Sequence, residues 1–126
     1  MSAVLAKEWL KKAEEDYEAA LALFKKRGRK TPDAVCFHAQ QTAEKYLKAF
    51  LVTHKVKFSK THDLLELLTL GSKVDPSLEL IHDLLKRLNQ YAVEFRYPGE
   101  DATLGEAKLA MQAAIEVRSV LRSKFA

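Results

Sequence analysis

The segment from residue 32 to about residue 54 restricts the fold of this chain more than any other part of its sequence. Read as a helix, it has apolar residues on more than one side: Val35, Phe37, Ala39, Ala43, Tyr46, Leu47, Phe50 and Leu51. A helix that is apolar nearly all round is packed on several neighbours, whereas a surface helix needs only one apolar stripe. Thr31 is placed to cap this helix and Pro32 to occupy its first position. The sequence therefore predicts a central core helix from Pro32 to about His54.

Four further helices are predicted from apolar residues that recur at spacings of three and four. Gly28 and Gly71 are placed to end helices, and Thr103 and Glu106 have the spacing of a capping box. The predicted helices run from Ala3 to Arg27, Leu64 to Leu70, Pro76 to about Val93, and Leu104 to about Lys124. Short connections between helices favour antiparallel neighbours. We therefore expect an all-α, up-and-down bundle of four to five helices that forms one domain over residues 1–126.

Composition limits the classes of protein that fit. The chain is 48% hydrophobic and 30% charged, which is typical of a helical globular protein rather than a disordered or fibrous one. No run approaches the roughly 18 apolar residues that a membrane span needs, no signal-like stretch opens the chain, and the single Cys36 has no partner for an internal disulfide. We expect a cytoplasmic protein. Its formal net charge of +4 permits phosphate-bearing partners without indicating a dedicated DNA-binding protein.

A polar ridge interrupts the central helix. His38, Gln41, Lys45 and Lys48 are spaced three, four and three residues apart, so they lie along one side. One interpretation is that this side faces solvent, or that Glu44 and Lys48 pair across one helical turn. The other is a groove in which Lys45 and Lys48 bind phosphate while His38 or Gln41 orients a base or ribose. Spacing alone leaves both open.

A late turn of the chain contains a candidate phosphate-binding arginine. Arg96 in the turn Arg96-Tyr97-Pro98 has the geometry to bind phosphate beside the N-terminus of the last helix, or it is held structurally by one of the nearby carboxylates.

The run from Lys25 to Lys30 holds five positive residues in six. It is either an electrostatic contact for nucleic acid or a solvated turn between two helices.

Several of these motifs together resemble one family. The residues from Cys36 to Ala49, which read CFHAQQTAEKYLKA, are similar to the second-helix signature of the HEPN family, the higher-eukaryote and prokaryote nucleotide-binding domain. Thr61-His62-Asp63-Leu64 resembles its following short helix, the Trp9 to Tyr17 region its first helix, and Arg96-Tyr97-Pro98 its late turn. The likeness covers nearly the whole chain, with these elements in matching order.

The resemblance implies a helical bundle that forms a homodimer or higher homo-oligomer, with a polar groove near the two-fold axis. Small prokaryotic members are often encoded beside a minimal nucleotidyltransferase, as the two halves of a toxin–antitoxin-like pair. The predicted nucleotide- or phosphate-binding residues are His38, Gln41, Lys45, Lys48, Arg96 and Tyr97, and we expect no cofactor, metal or membrane.

Many members of the family are metal-independent ribonucleases that carry an arginine, four to six further residues and then a histidine. Here no histidine follows Arg96. General acid–base cleavage needs a group that titrates near neutral pH, so His38 or His62 would have to act in its place. The candidate catalytic residues are therefore Arg96, His38 and His62.

The sequence is compatible with three functions. The first is a nucleotide- or RNA-binding homodimer that works with a nucleotidyltransferase, and the missing histidine favours it. The second is a ribonuclease with a non-standard site, and the third is a purely structural partner for another protein.

Overall fold

The computed structural model describes residues 2–92 and 97–125, which contain five α-helices. The helices are α1 (Ser2–Lys25), α2 (Pro32–Thr53), α3 (Leu64–Ser72), α4 (His82–Asn89) and α5 (Leu104–Arg122), with a 3-10 helix at Pro76–Ile81 directly before α4. These ranges contain no β-strand. The predicted all-α bundle is confirmed. None of the described helices is both long and apolar enough to cross a membrane.

Helix α2 is the central helix, as its apolar pattern predicts. It packs against α1, α3, α4 and α5, and its largest fully buried side chains are Tyr46, Leu47, Phe50 and Leu51. The bundle therefore forms around α2, and any polar residue on this helix must find a partner on a neighbouring helix or reach the surface.

Small residues set the contact between α1 and α2. Ala13 and Ala20 of α1 and Ala39 and Ala43 of α2 are fully buried, which allows the two backbones to approach closely. Leu5 lies at helical spacing with Trp9 and Ala13, which predicts that it is buried, but it is half exposed and Ala6 is buried in its place. The contact face of α1 is thus rotated towards its alanines.

The helix ends follow the predicted signals with two corrections. Thr31 stands directly before α2, but its side chain forms no capping hydrogen bond, so the predicted cap is absent. Gly28 has a φ of +84°, the left-handed conformation expected after the end of α1, and Thr103 and Glu106 form both hydrogen bonds of the capping box. Gly71 does not end α3, which continues to Ser72. A Cβ atom on Gly71 would lie 2.9 Å from Cδ1 of Leu78, so this glycine is required by packing rather than by helix termination.

The helix predicted from Pro76 onwards is divided in two. Its first six residues form the 3-10 helix, capped by Asp75, whose carboxylate accepts from the backbone N–H of Ser77 at 3.0 Å. Residues i and i+3 eclipse in a 3-10 helix, and this places both Leu78 and Ile81 in the core. The predicted end at Val93 lies outside the described residues.

Candidate functional site

Polar side chains of α1 and α2 meet around Asp16, in a group that we call the Asp16 cluster (Asp16, His38 and Lys45). One carboxylate oxygen of Asp16 lies 2.8 Å from Nδ1 of His38, and the other lies 2.5 Å from Nζ of Lys45. His38 and Lys45 are partly exposed while Asp16 is nearly buried. One aspartate therefore holds a histidine and a lysine side by side at the edge of the α1–α2 contact.

The remaining residues of the polar ridge belong to a second group, the Glu44 cluster (Gln40, Gln41, Glu44, Lys48 and His62). Lys48 pairs with Glu44 at 3.0 Å, and the two residues are only 6% and 2% exposed, respectively. The Lys48 ammonium also lies 5.3 Å from the centroid of the Trp9 ring, within the range of a cation–π contact. The predicted pairing across one helical turn is thus formed, and it is formed inside the protein.

His62 closes the Glu44 cluster from the loop before α3. Its Nδ1 lies 3.0 Å from Oε1 of Glu44, and its backbone carbonyl accepts from the Gln40 amide at 3.1 Å. Gln41 donates to Gln40 at 2.7 Å. The predicted candidates therefore separate into two groups: His38 and Lys45 meet at Asp16, whereas Gln41, Lys48 and His62 meet at or around Glu44.

A third group, the Glu14 cluster (Glu14, Tyr46, Arg118 and Arg122), joins α1, α2 and α5. Hydrogen bonds from Arg118 lower the pKa of Glu14 to about 2. Burial, together with the hydrogen bond to Glu14, raises the pKa of Tyr46 to about 12, and the same carboxylate raises the pKa of Arg118. Both arginines contact Glu14, and Arg118 binds it through two hydrogen bonds, so we interpret this cluster as structural.

The late turn is only partly described. Arg96 lies outside the described residues. Tyr97 is 66% exposed and begins a turn in which the backbone N–H of Glu100 donates to the Tyr97 carbonyl at 3.0 Å. Gly99 has a φ of +92°, as the third residue of a type II turn requires. The predicted Pro-Gly turn is therefore present at residues 97–100.

Sequence reasoning placed the ridge on α2 but did not assign Asp16 a role. A signal was available, because Asp16 lies at helical spacing with Ala13 and Ala20, both on the buried side of α1. A carboxylate in such a position needs a partner, since an unpaired buried charge is very costly.

Among the described residues, no group of three or more histidine, cysteine, aspartate or glutamate side chains has an arrangement that would hold a metal ion.

Both the sequence and the structure of this chain match known proteins. A model of the HEPN domain matches residues 6–124. TT1696 from Thermus thermophilus is 28% identical, with a TM-score of 0.78 over 95% of this chain and 98% of that one. An archaeal HEPN homologue is 22% identical, with a TM-score of 0.70 over 94% of this chain and 96% of its own. No match was found among curated proteins.

Proposed function

Because this chain belongs to the HEPN domain family, we propose that it is a nucleotide- or RNA-binding module that acts as a homodimer and as the partner of a minimal nucleotidyltransferase in a toxin–antitoxin-like pair. The single observation that supports nucleotide binding is the Asp16 cluster, where a lysine and a histidine are held together at the surface. The dimer and the nucleotidyltransferase partner rest on the family alone.

The two lysines of the ridge have different roles in this proposal. Lys45 is partly exposed although its partner Asp16 is nearly buried, so its ammonium is available to a phosphate oxygen as well as to Asp16. Lys48 is enclosed between Glu44 and the Trp9 ring, so binding a phosphate would first require that pair to separate. We therefore assign the phosphate contact to Lys45, with His38 beside it to bind ribose or base. Arg96 and Tyr97 are the proposed contacts from the late turn.

A thermal shift measurement with ATP and other nucleotides tests this proposal. A ligand at about 100 times its dissociation constant stabilises a protein by about 2.7 kcal/mol, which is a readily measured shift. Lys45→Ala should reduce the shift, and Lys11→Ala, a change at an exposed lysine of α1, is the matched control. No shift for the wild type at millimolar nucleotide would contradict nucleotide binding.

A second candidate function, ribonuclease activity, is favoured by the geometry of His38. If Nδ1 of His38 donates to Asp16, then Nε2 of the neutral imidazole is free to accept a proton, which is how a carboxylate prepares a histidine as a general base. Incubation with labelled RNA tests this role. Cleavage should be lost in both His38→Ala and Arg96→Ala, and cleavage that survives either change would exclude the site.

The partner is tested separately. The proposal predicts a reading frame for a minimal nucleotidyltransferase beside the one for this chain. The two purified proteins should then elute together in size-exclusion chromatography. Separate elution of the pair would contradict the partnership while leaving nucleotide binding to be judged by the thermal shift.

A further inference from the structure

An apolar groove lies where α1 ends and α2 and α5 begin, apart from the three polar clusters. Its volume is about 260 Å³, and Leu23, Phe24, Val35 and Leu104 are among its lining residues. Leu104 is 60% exposed although it begins a helix that is otherwise well packed. An open groove with this lining fits an apolar side chain from another molecule.

The charges at the groove are positive. Its two charged lining residues are Lys30 and Lys108. The basic run that starts at Lys25 also lies in the turn between α1 and α2. Neither Lys108 nor any cation of this run takes part in the ion pairs found among the described residues, and the Lys30 ammonium donates to the backbone carbonyl of Lys26. The groove therefore favours an apolar side chain with acidic neighbours.

The same chain carries such a side chain on the 3-10 helix. Leu80 is 86% exposed, because the 3-10 geometry directs Leu78 and Ile81 into the core instead. Its acidic neighbours in the sequence are Glu79 and Asp83. One oxygen of Asp83 lies 3.0 Å from Nδ1 of the adjacent His82, and the Asp83 side chain is 98% exposed, which leaves it accessible to a second cation. Lys86 and Arg87 lie further on, in the last turn of α4. Leu80 is thus an apolar projection with acidic residues on both sides.

We propose that the groove of one copy receives Leu80 of a second copy, with Glu79 and Asp83 of that copy facing Lys30 and Lys108. The inference rests on the proposed homodimer and names the surface through which it forms. An apolar anchor surrounded by opposite charges is the usual arrangement of a specific interface.

The positions of the two features suit a closed dimer. Lys124, just after α5, binds Asp75 at 3.0 Å and Ser77 at 2.8 Å, so the 3-10 helix lies near the C-terminal end of α5. The groove lies at its N-terminal end. A helix of 19 residues is about 28 Å long. The proposed interface places two copies side by side in opposite directions, with each Leu80 in the other's groove, and such a two-fold arrangement closes after two copies.

The association state of the full chain, measured by analytical ultracentrifugation, tests this surface. We expect a wild-type dimer, and we expect Leu80→Lys to raise its dissociation constant by about thirtyfold or more, because a buried anchor is replaced by a cation that meets the lysines of the groove. Leu5→Lys makes the same change at a leucine of α1 that is 50% exposed and does not line the groove, and it should leave the dimer intact. Circular dichroism shows whether each variant is folded.

A charge exchange gives a second, independent readout. Lys108→Glu should weaken the dimer, and adding Asp83→Lys should restore part of the loss. A wild-type dimer that Leu80→Lys and Lys108→Glu both leave unchanged would overturn this surface but not the homodimer. A wild-type monomer would overturn the homodimer and this surface together, while nucleotide binding would still be judged by the thermal shift.

Discussion

The carboxylate of Glu14 in α1 accepts two hydrogen bonds of 2.7 Å from Arg118 in α5, one from Nε and one from Nη2. Nη1 of Arg122 adds a contact of 3.2 Å, and the hydroxyl of Tyr46 in α2 donates to the same carboxylate. A bidentate pair between arginine and carboxylate fixes orientation as well as distance. Glu14 therefore joins three helices of the bundle through one side chain.

Because of this contact, the stability of the protein should decrease at acid pH. The pKa of Glu14 is lowered from 4.5 to about 2 in the folded protein. The stabilisation is therefore complete above about pH 4.5 and is lost as the pH falls towards 2. Glu14→Gln should lower the free energy of unfolding by about 1–2 kcal/mol at pH 7, a figure reduced for screening by solvent. Urea unfolding at pH 7 and at pH 3 measures the difference, which should shrink at the lower pH. Glu15→Gln, at an exposed neighbour, is the control.

The buried pair of Glu44 and Lys48 predicts that a single substitution lowers the free energy of unfolding more than a double substitution does. Lys48→Met would leave Glu44 buried without its lysine, which should cost about 3 kcal/mol of unfolding free energy. Glu44→Gln combined with Lys48→Met should recover much of this loss, because neither charge is then buried. Lys11→Met, at an exposed lysine of α1, should change the free energy of unfolding by less than about 0.5 kcal/mol. Chemical unfolding of the four proteins compares these values, and a mild Lys48→Met would show that the pair is not buried in solution.

Gly71 should not tolerate a branched side chain. Gly71→Val places atoms against Leu78 and the Phe50 ring in the core and should destabilise the protein by about 2 kcal/mol through overpacking. Gly105→Ala is the comparison in α5, where a Cβ would meet only the Thr103 hydroxyl oxygen, at 3.7 Å. It should stabilise by about 0.5 kcal/mol, because alanine favours helix more than glycine does. If thermal unfolding instead showed Gly71→Val to be as stable as the wild type, the packing described for α3 would be wrong.

The Asp16 cluster predicts the sign of an effect on nucleotide affinity. Asp16→Asn keeps the shape of the side chain but removes the negative charge that competes with phosphate for Lys45. ATP should bind about fivefold more tightly, corresponding to about 1 kcal/mol for one charge near the protein surface, and the gain should diminish at high salt. Titration calorimetry measures this change. Glu18→Gln alters the net charge equally at an exposed position of α1, and an equal gain there would assign the effect to general charge instead.

Much of the candidate site was predictable from the sequence, but its division into two groups was not. Spacing alone placed His38, Gln41, Lys45 and Lys48 on one side of α2, because a helix has a fixed period. It did not show that Lys45 meets a carboxylate of α1 near the surface while Lys48 is enclosed by Glu44 and Trp9. These contacts depend on which side of α1 faces α2, and buried alanines rather than the larger Leu5 decide that side.

By itself, the sequence determined the all-α class, the central position of α2 and the capping box of α5, because helices and their caps depend on residues no more than a few positions apart. Only the tertiary structure decided that Gly71 is a packing residue, that Leu80 faces outward and that Glu14 joins three helices. These features depend on groups from different helices meeting in space. Glu14 and Arg118 are 104 residues apart in the chain, and local hydrogen bonding carries no information about such a pair.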